Sequence, residues 1–375
     1  MFLFNIYKFN GIVTILQNVI KNIFGLTSMK YGLVVIALLG MVLLSCTQKE
    51  EISIGAILPL TGNVAYVGED ARNGMNLALE EIGNLFTIIY EDSAGENQQA
   101  IAAFQKITQA NNANIIVTST SWISNALYTE AKETETLQLV IASAVFHREQ
   151  NDKAIRFTVD VLNEAIFIAE YLQQFERVGL LYMNNDFGQG WAEQLGNKLT
   201  NLIVSEAYEL TELDVSTQLS KIKAANVDAL MLASGGRETA LFARKAREIG
   251  ITAQLVSARP AESKELQDEP ATEGIIYSYP AYDIEHPFVE NYVTKYGKQP
   301  TIFSAEAYDL IITLNEAIKE CKENTKCIHD WYKNNSYKGA LGTVTFDSLG
   351  DASYSFTLKE VSNGKFELYE EKNAK

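Results

Sequence analysis

Runs of apolar residues alternate with helical stretches along most of this chain, and that alternation limits its fold more than any other feature. The first run, "ISIGAIL" at 52–58, precedes a loop that contains Pro and Gly, "PLTGNVAYVG", and then "EDARNGMNLALEEIG". Apolar residues from Ala71 to Ile82 recur at helical spacing in this last stretch, and Gly83 is expected to end the helix. Because the strand-like runs are apolar throughout, they indicate parallel sheets covered by helices on both faces, an α/β fold.

The same alternation continues to about residue 280. Further strand-like runs are "FTIIY", "NIIVTS", "LQLVIAS", "RVGLLYM", "IVSEAY", "VDALMLA", "TAQLVS" and "EGIIYS". Helical stretches are predicted at 97–111, 123–135, 163–175, 190–200, 238–249 and 303–321. The tail "GTVTFDSLGDASYSFTLKEVSNGKFELYE" alternates between turn signals, which predicts antiparallel strands.

A short uncharged apolar stretch ends at a cysteine near the N-terminus. Residues 31–45 read "YGLVVIALLGMVLLS", follow Met29-Lys30 and stop at Cys46. The stretch is shorter than the roughly 20 residues that span a membrane, and its pattern is typical of a secretory signal peptide. The ending "LLSC" resembles the lipobox of bacterial lipoproteins, which implies cleavage before Cys46 and lipid attachment to its sulfur. An uncleaved N-terminal anchor is the alternative.

These features predict the organisation of the N-terminal region. We expect 1–45 to be a signal peptide, with Met29 as the true start, and 46–50 to be a lipid-tethered linker. The protein would then be extracytoplasmic and held at the membrane by lipidated Cys46. Mass spectrometry of the mature N-terminus checks this, and a peptide from residues 1–28 would contradict the start at Met29.

The charge balance argues against nucleic acid as a partner. After residue 45 the chain carries 28 basic and 47 acidic residues, a formal net charge of −19. Nucleic-acid binding needs basic patches, so this balance disfavours it and fits a soluble exported surface.

Two further cysteines, Cys321 and Cys327, flank "KENTK". In an oxidising compartment a disulfide that closes this small loop is the expected use, and two free thiols are the alternative. A zinc site is disfavoured because only His329 is near enough to add a ligand. We expect no metal and no cofactor.

Several stretches together carry a resemblance to a known family. They are "IGAILPLTGNVAYVGEDARNGMNLALEEIG", "RVGLLYMNNDFGQGWAEQL", "ALFARKAREIG", "AYDLI" and "GTVTFDSLGD". The chain from Ile52 to about Glu370 resembles the leucine/isoleucine/valine-binding group of periplasmic solute-binding proteins of ABC importers. The resemblance implies a type I periplasmic-binding fold: two doubly wound αβα lobes, three crossover hinge segments and a ligand in the cleft.

The resemblance also implies lobe boundaries, with crossings near Asp160, Tyr282 and Phe346. The N-terminal lobe would contain 51–160 and 283–345, and the C-terminal lobe 161–282 and 346–375. A monomer is expected.

The loop after "NIIV" is a candidate for contact with the ligand. It reads Thr118-Ser119-Thr120-Ser121-Trp122 and leads into a helix, where hydroxyls and free amides suit a carboxylate. The matching family loop binds the ligand α-carboxylate with a serine at about Ser121. The alternative is that these hydroxyls only cap the helix.

Other cleft residues are implied by the same resemblance. The loop after "LQLVIA" offers Ser143 and Ala144 but keeps only part of the family pattern, and Tyr66 and Val67 match positions at the cleft mouth. Phe187 matches the aromatic of the family's glycine turn. Trp122 and Phe187 would form an apolar or stacking wall, and plain packing is the alternative for each.

Arg259 points to an altered ligand. In the amino-acid binders of this family an acidic residue at the matching position pairs with the ligand ammonium, and here the stretch reads "TAQLVSARPAES". A guanidinium repels an ammonium and suits a carboxylate. We therefore expect an amino acid or a related small carboxylate. The alternatives are a surface position for Arg259, or an anion supplied by Glu238, Glu262 or Asp283.

Two other functions are alternatives to solute binding for an importer. His147, His286 and His329 are scattered and no catalytic motif appears, so an enzyme is disfavoured; "DFG" at Asp186–Gly188 is interpreted as a turn. The other rival is a lipoprotein or ectodomain that presents a small ligand to a signalling partner, which the same two-lobed closure would serve. A neighbouring permease and ATPase gene pair favours the importer, and a lone sensor kinase gene favours the rival.

Overall fold

The structure, a computed structural model, describes residues 52–83, 85–144, 153–259, 262–280 and 285–370. The predicted signal peptide, Cys46, the linker at 46–50 and the crossing near Tyr282 therefore lie outside the described residues. Among the described helices none is long and apolar enough to cross a membrane.

Two large sheets organise the described chain. The first is parallel, in the order β2-β1-β3-β4-β5, and is formed by β1 (Ser53–Leu58), β2 (Thr87–Asp92), β3 (Ile115–Ser119), β4 (Leu137–Ile141) and β5 (Ala154–Arg156). The second has the order β15-β14-β10-β9-β8-β6-β7. Its parallel strands are β6 (Val178–Met183), β7 (Leu202–Tyr208), β8 (Ala229–Ala233), β9 (Gln254–Ser257) and β10 (Ile276–Pro280).

The tail adds antiparallel strands, as the sequence predicts. β14 (Phe356–Ser362) pairs with β10 and forms a hairpin with β15 (Lys365–Leu368). A small third sheet is made by β11 (Tyr337–Gly339), β12 (Gly342–Phe346) and β13 (Ala352–Ser353).

Helices lie between these strands. In chain order they are α1 (Ala65–Glu81), α2 (Asn97–Gln105), α3 (Ser121–Ala126), α4 (Tyr128–Glu133), α5 (Val161–Leu172), α6 (Asp186–Lys198), α7 (Ser216–Ala224), α8 (Gly236–Glu248), α9 (Lys264–Asp268), α10 (Pro287–Tyr296), α11 (Ile302–Cys321) and α12 (Thr325–Asn334). A π-helical turn, Lys106–Ala110, extends α2, and a 3-10 turn, Pro270–Thr272, follows α9.

Both faces of the central parallel strands β1, β3, β4 and β8 are buried, which confirms the predicted α/β class. On β1, Ile54, Ala56 and Leu58 join the largest apolar cluster, whereas Ile57 belongs to a second cluster with residues of α2 and α3. On β8, Leu230 joins the largest cluster and the residues that alternate with it pack against α5 and α6. A strand covered on both faces needs apolar residues at every position, which explains the unbroken apolar runs.

Most predicted elements are confirmed, including the end of α1. Gly83 has φ +78°, a left-handed conformation that glycine adopts easily, and its N–H donates to Glu80 O at 3.2 Å.

Two local predictions are wrong. The "DFG" segment is not a loop turn: it forms the first turn of helix α6, and Asn185 is the N-cap of that helix. A Cβ on Gly188 would lie 1.9 Å from Met183 O, so glycine at this position lets α6 begin against the end of β6. The single helix predicted at 123–135 is two helices, α3 and α4, that meet at Leu127.

Arg156 links the segment after β5 to the segment after β12. Its Nη2 lies 2.6 Å from Asp351 Oδ2 and 3.0 Å from Asp160 Oδ2, and its N–H donates to Gly350 O. These two segments contain the predicted crossings near Asp160 and Phe346. The division into lobes itself stays a prediction.

The predicted cysteine pair is close in space. The sulfurs of Cys321 and Cys327 are bonded in the structure with the Cα atoms 5.5 Å apart, joining the end of α11 to the start of α12. The oxidation state in the mature protein stays a prediction.

Candidate ligand-binding site

A cavity lies among the loops that follow the carboxyl ends of strands in both large sheets. This is the edge where open α/β sheets place ligands. Its apolar lining is Val64, Tyr66, Val67, Trp122, Ile141, Ala142, Met183, Phe187 and Phe303. Its polar and backbone lining is Thr120, Ser121, Ser143, Thr158, Gly235, Arg259 and Glu306. Mostly apolar walls with a few polar groups are typical of a small-molecule site.

The cavity is small. Its volume is about 80 Å³, which limits it to a small ligand.

Seven of the eight sequence-predicted site residues line this cavity. They are Tyr66, Val67, Ser121, Trp122, Ser143, Phe187 and Arg259. Ala144 does not line it and instead supports it, because its N–H donates to Ser121 Oγ at 3.2 Å. The structure therefore brings the predicted residues together, and their contact with a ligand stays a prediction.

The loop after β3 carries strain at the cavity wall. Thr120 has φ +66° and ψ 140°, a conformation that is rare for a β-branched residue and costs of order 1–3 kcal/mol. Its side chain does not cap α3, and its Oγ1 has no hydrogen-bond partner among the described residues. The alternative that this hydroxyl only caps the helix therefore does not hold for Thr120. Its hydroxyl can still donate a hydrogen bond to another group or accept one. At six residues, α3 is too short to provide much dipole.

Aromatic side chains form the walls. Trp122 Nε1 donates to Gly95 O at 2.8 Å, which fixes the indole while its ring packs on the α2–α3 cluster. Tyr66 and Phe303 pack edge to face with ring centroids 6.2 Å apart. Phe187, in the first turn of α6, packs on the α5–α6 cluster. Packing and cavity lining thus coexist for Trp122 and Phe187.

Close backbone approach shapes the wall beside Tyr66. A Cβ on Gly235 would lie 2.5 Å from Tyr66 Oη and 2.6 Å from Glu238 Oε2, so a larger residue there would have to displace these two side chains. Burial raises the pKa of both the Tyr66 hydroxyl and the Glu238 carboxyl, which keeps the phenol protonated.

Arg259 is buried, so the alternative of a surface position does not hold. Only 4% of it is exposed. Its Nε lies 3.8 Å from Glu164 Oε2, its Nη1 3.8 Å from Glu306 Oε1, and its Nη2 donates to Val159 O at 3.4 Å. Nη1 has no hydrogen-bond partner in the described part of the chain.

Glu306 is the charged lining residue that the sequence did not reveal; the uncharged lining residues Val64, Thr158, Met183, Gly235 and Phe303 were not predicted either. It lies on α11, lines the cavity and accepts a hydrogen bond from Thr158 Oγ1. Burial raises the pKa of its carboxyl to about 7, against the opposing effects of the Arg259 guanidinium and the Thr158 hydroxyl. The one available signal was an acid inside the apolar helical segment "FSAEAYDLI".

The acids considered as partners for Arg259 lie elsewhere or are not described. Glu262 accepts from Tyr277 Oη at 2.8 Å and pairs with Lys359. Glu238 lies behind Gly235, and Asp283 is outside the described residues. Within the described ranges no group of three or more His, Cys, Asp or Glu could hold a metal ion.

Comparisons with known proteins match this architecture. The profile of the family described as "Periplasmic binding protein" matches residues 51–365. "Leu/Ile/Val-binding protein homolog 2" of Brucella abortus is 24% identical over 364 residues, which cover 89% of this chain and 98% of that protein.

Solved structures share the fold. An extracellular ligand binding receptor from Desulfohalobium retbaense has a TM-score of 0.82 and 35% identity over 86% of this chain, which spans 60% of that chain's length. The substrate binding protein LivJ of Streptococcus pneumoniae, in complex with isoleucine, has a TM-score of 0.77 and 21% identity, covering 85% of this chain and 99% of its own. A solute binding protein of an ABC transporter from Rhodopseudomonas palustris, in complex with 3,4-dihydroxybenzoic acid, has a TM-score of 0.78 and 17% identity, covering 85% and 96%. At such identities the last two likenesses show the fold alone.

Proposed function

Because the chain belongs to the periplasmic binding protein family, we propose that it captures an amino acid or a related small carboxylate and delivers it to an ABC importer. As a member of a family of substrate-binding proteins, it is extracytoplasmic and is not an enzyme. The observation that carries the proposal is the cavity between strand-end loops of both sheets, with apolar walls and a buried cation, Arg259.

The ligands of similar proteins support a carboxylate. The structures that resemble this chain include one with isoleucine and one with 3,4-dihydroxybenzoic acid. Both ligands carry a carboxylate and a compact body, and only isoleucine carries an ammonium. A small cavity with a guanidinium on its wall fits this shared chemistry.

Closure of two lobes is the proposed mechanism of capture. The lobes would be 51–160 with 283–345 and 161–282 with 346–375, hinged at three crossovers. The proposed binding residues Tyr66, Val67, Ser121, Trp122 and Ser143 would contact the ligand from one lobe, and Ala144 would hold Ser121 in place. Phe187 and Arg259 would contact it from the other, and the closed form would dock on the permease.

A binding screen tests the proposal. Thermal-shift and calorimetric titrations with amino acids, dicarboxylates and aromatic acids should find a ligand with micromolar affinity. Phe187→Ala should weaken that ligand at least tenfold because the cavity loses a wall. Phe175→Ala is the matched control, since Phe175 packs on Tyr171 away from the cavity. An equal loss in both variants, or no ligand in the screen, would contradict the proposal.

Membrane attachment through Cys46 is proposed with the same function. Cys46→Ser should release the protein from the membrane fraction and remove the lipid mass from its N-terminus. Retention of the variant at the membrane would favour an uncleaved anchor.

A further inference from the structure

Arg259 has unused hydrogen-bonding capacity at the cavity wall. A guanidinium offers five N–H donors, and a buried one is costly unless acceptors meet them. Here the two nearest carboxylates stand at 3.8 Å, beyond hydrogen-bond distance, and Val159 O at 3.4 Å is a weak acceptor. Nη1 has no acceptor among the residues that the structure describes. The site is therefore built to receive an acceptor at Nη1.

The two neighbouring carboxyls have different roles. Glu164 Oε1 accepts from the backbone N–H of Arg259 at 3.1 Å and from Ser278 Oγ at 2.7 Å. These two hydrogen bonds fix the Glu164 carboxylate within the protein. Glu306 faces the cavity and is held by Thr158. Among the described lining residues, Glu306 is the only acid and Arg259 the only base.

We propose that the site selects a small monocarboxylate that has no amine, bound through its carboxylate to Arg259 Nη1 with its apolar body between Trp122 and Phe187. This rests on the proposed function and names the ligand class. An ammonium within a few ångströms of the guanidinium would be repelled, whereas a carboxylate forms a charge-assisted hydrogen bond with it. Apolar walls suit an aliphatic or aromatic body.

Glu306 makes this selection sensitive to protons. The charged and titratable groups around it are Arg259 on the loop after β9, Glu164 on α5, Asp309 on α11 and Tyr354 in the tail. Burial already raises the pKa of Glu306 to about 7. A ligand carboxylate adds negative charge beside it and shares its counter-ion, so Glu306 takes up a proton when the ligand binds.

The direction of the pH dependence follows from this uptake. Affinity for an amine-free carboxylate should weaken as pH rises from about 6 to about 8, by up to roughly tenfold per unit above the pKa of free Glu306. A zwitterionic amino acid gives the opposite trend, because its ammonium would favour ionised Glu306.

Matched ligand pairs test the selection. Leucine and 4-methylpentanoate share a carbon skeleton and differ by the amine, as do phenylalanine and 3-phenylpropanoate. Calorimetric titration of the wild-type protein should show the amine-free member of at least one pair binding at least tenfold more tightly, with proton uptake seen in buffers of different ionisation enthalpy. Tighter binding of both amino acids overturns the inference and leaves the proposed function standing. Binding of no member of either pair at millimolar concentration contradicts both.

Variants separate the roles of the two residues. Arg259→Gln should lose at least tenfold in affinity for the amine-free carboxylate, and Arg244→Gln, on the exposed side of α8, should lose nothing. Glu306→Gln mimics the protonated carboxyl, so it should keep binding and flatten the pH profile. A pH profile of Glu306→Gln that equals that of the wild type overturns the inference. Full affinity in a folded Arg259→Gln overturns it as well, so the test still decides if one of the two variants fails to fold.

Discussion

At the scale of single residues, Asp309 shows how a buried acid serves structure and not binding. Its Oδ1 accepts from Ala340 N at 2.9 Å and its Oδ2 from Leu341 N at 3.1 Å, so it holds the turn between β11 and β12. Burial raises the pKa of this carboxyl to about 7, although the two N–H donors oppose the rise.

The first prediction concerns the pH dependence of stability. A raised pKa in the folded state contributes stability below the ordinary pKa of about 4, which is lost as pH rises through about 7. Asp309→Asn should therefore make the free energy of unfolding less dependent on pH, by a few kcal/mol at most. It should also cost about 1–3 kcal/mol at low pH, since its amide cannot accept from both N–H groups. Urea unfolding at pH values below 5 and above 8 measures both effects.

Asp268→Asn is the control, because Asp268 is exposed on α9 and pairs only with Lys264 among the described residues. A pH slope in Asp309→Asn equal to that of the wild type would show that the carboxyl does not titrate with folding.

The residue scale also shows how far sequence reasoning reaches. Arg259 and Phe187 could be placed near a cleft because the family resemblance matches each of them to a cleft position. Glu306 could not, because it lies on a helix far along the chain, and only the folded structure brings it within 3.8 Å of Arg259. The positive φ of Thr120 could not be predicted either, because no residue pattern in the sequence indicates it.

At the scale of elements, the packing of α1 on α11 depends on a glycine. A Cβ on Gly74 would lie 2.0 Å from Ser304 O, a backbone atom that cannot move alone. Gly74→Ala should therefore destabilise the protein by about 1–3 kcal/mol through overpacking. Gly196, exposed on α6 with nothing near its Cβ position among the described residues, is the matched control. Gly196→Ala should stabilise by about 0.5–1 kcal/mol, and thermal unfolding of both variants tests the pair.

The disulfide is the other prediction at this scale. A bond between Cys321 and Cys327 closes a loop with a sequence separation of six residues, so chain entropy predicts roughly 2 kcal/mol of stabilisation. Thiol labelling of the unfolded, unreduced protein should find neither cysteine reactive. Two labelled thiols would show that the mature protein does not contain the bond.

Helices and strands were predicted correctly where burial imposes an apolar pattern on the sequence. They were missed where their position depends on contacts with distant residues. The long parallel strands and α11 were predicted because burial on both faces demands unbroken apolar runs. β5 is three residues long, too short for a periodic signal, and pairs with β4. The helices α7, α9, α10 and α12 were not predicted, and α6 begins earlier than expected because Gly188 lets it approach β6.

At the scale of the whole molecule, the proposed capture of a ligand requires two lobes to close. Asn125 on α3 donates to Asp186 Oδ2 on α6 at 2.6 Å, a contact between helices that follow strands of different sheets. We expect small-angle scattering to show compaction when a tight ligand is added, since hinge closure brings the lobes together. Asn125→Ala should weaken ligand binding several-fold by removing this contact. An unchanged scattering profile with saturating ligand would contradict closure.

A crystal structure of the protein with 4-methylpentanoate would show whether Arg259 receives a ligand carboxylate inside the cavity. We expect a carboxylate oxygen within hydrogen-bond distance of Arg259 Nη1 and the carbon chain between Trp122 and Phe187. A carboxylate bound only at Ser121 and Ser143, with Arg259 Nη1 still unpaired, would contradict the selection by Arg259. A ligand bound outside the cavity would contradict the function.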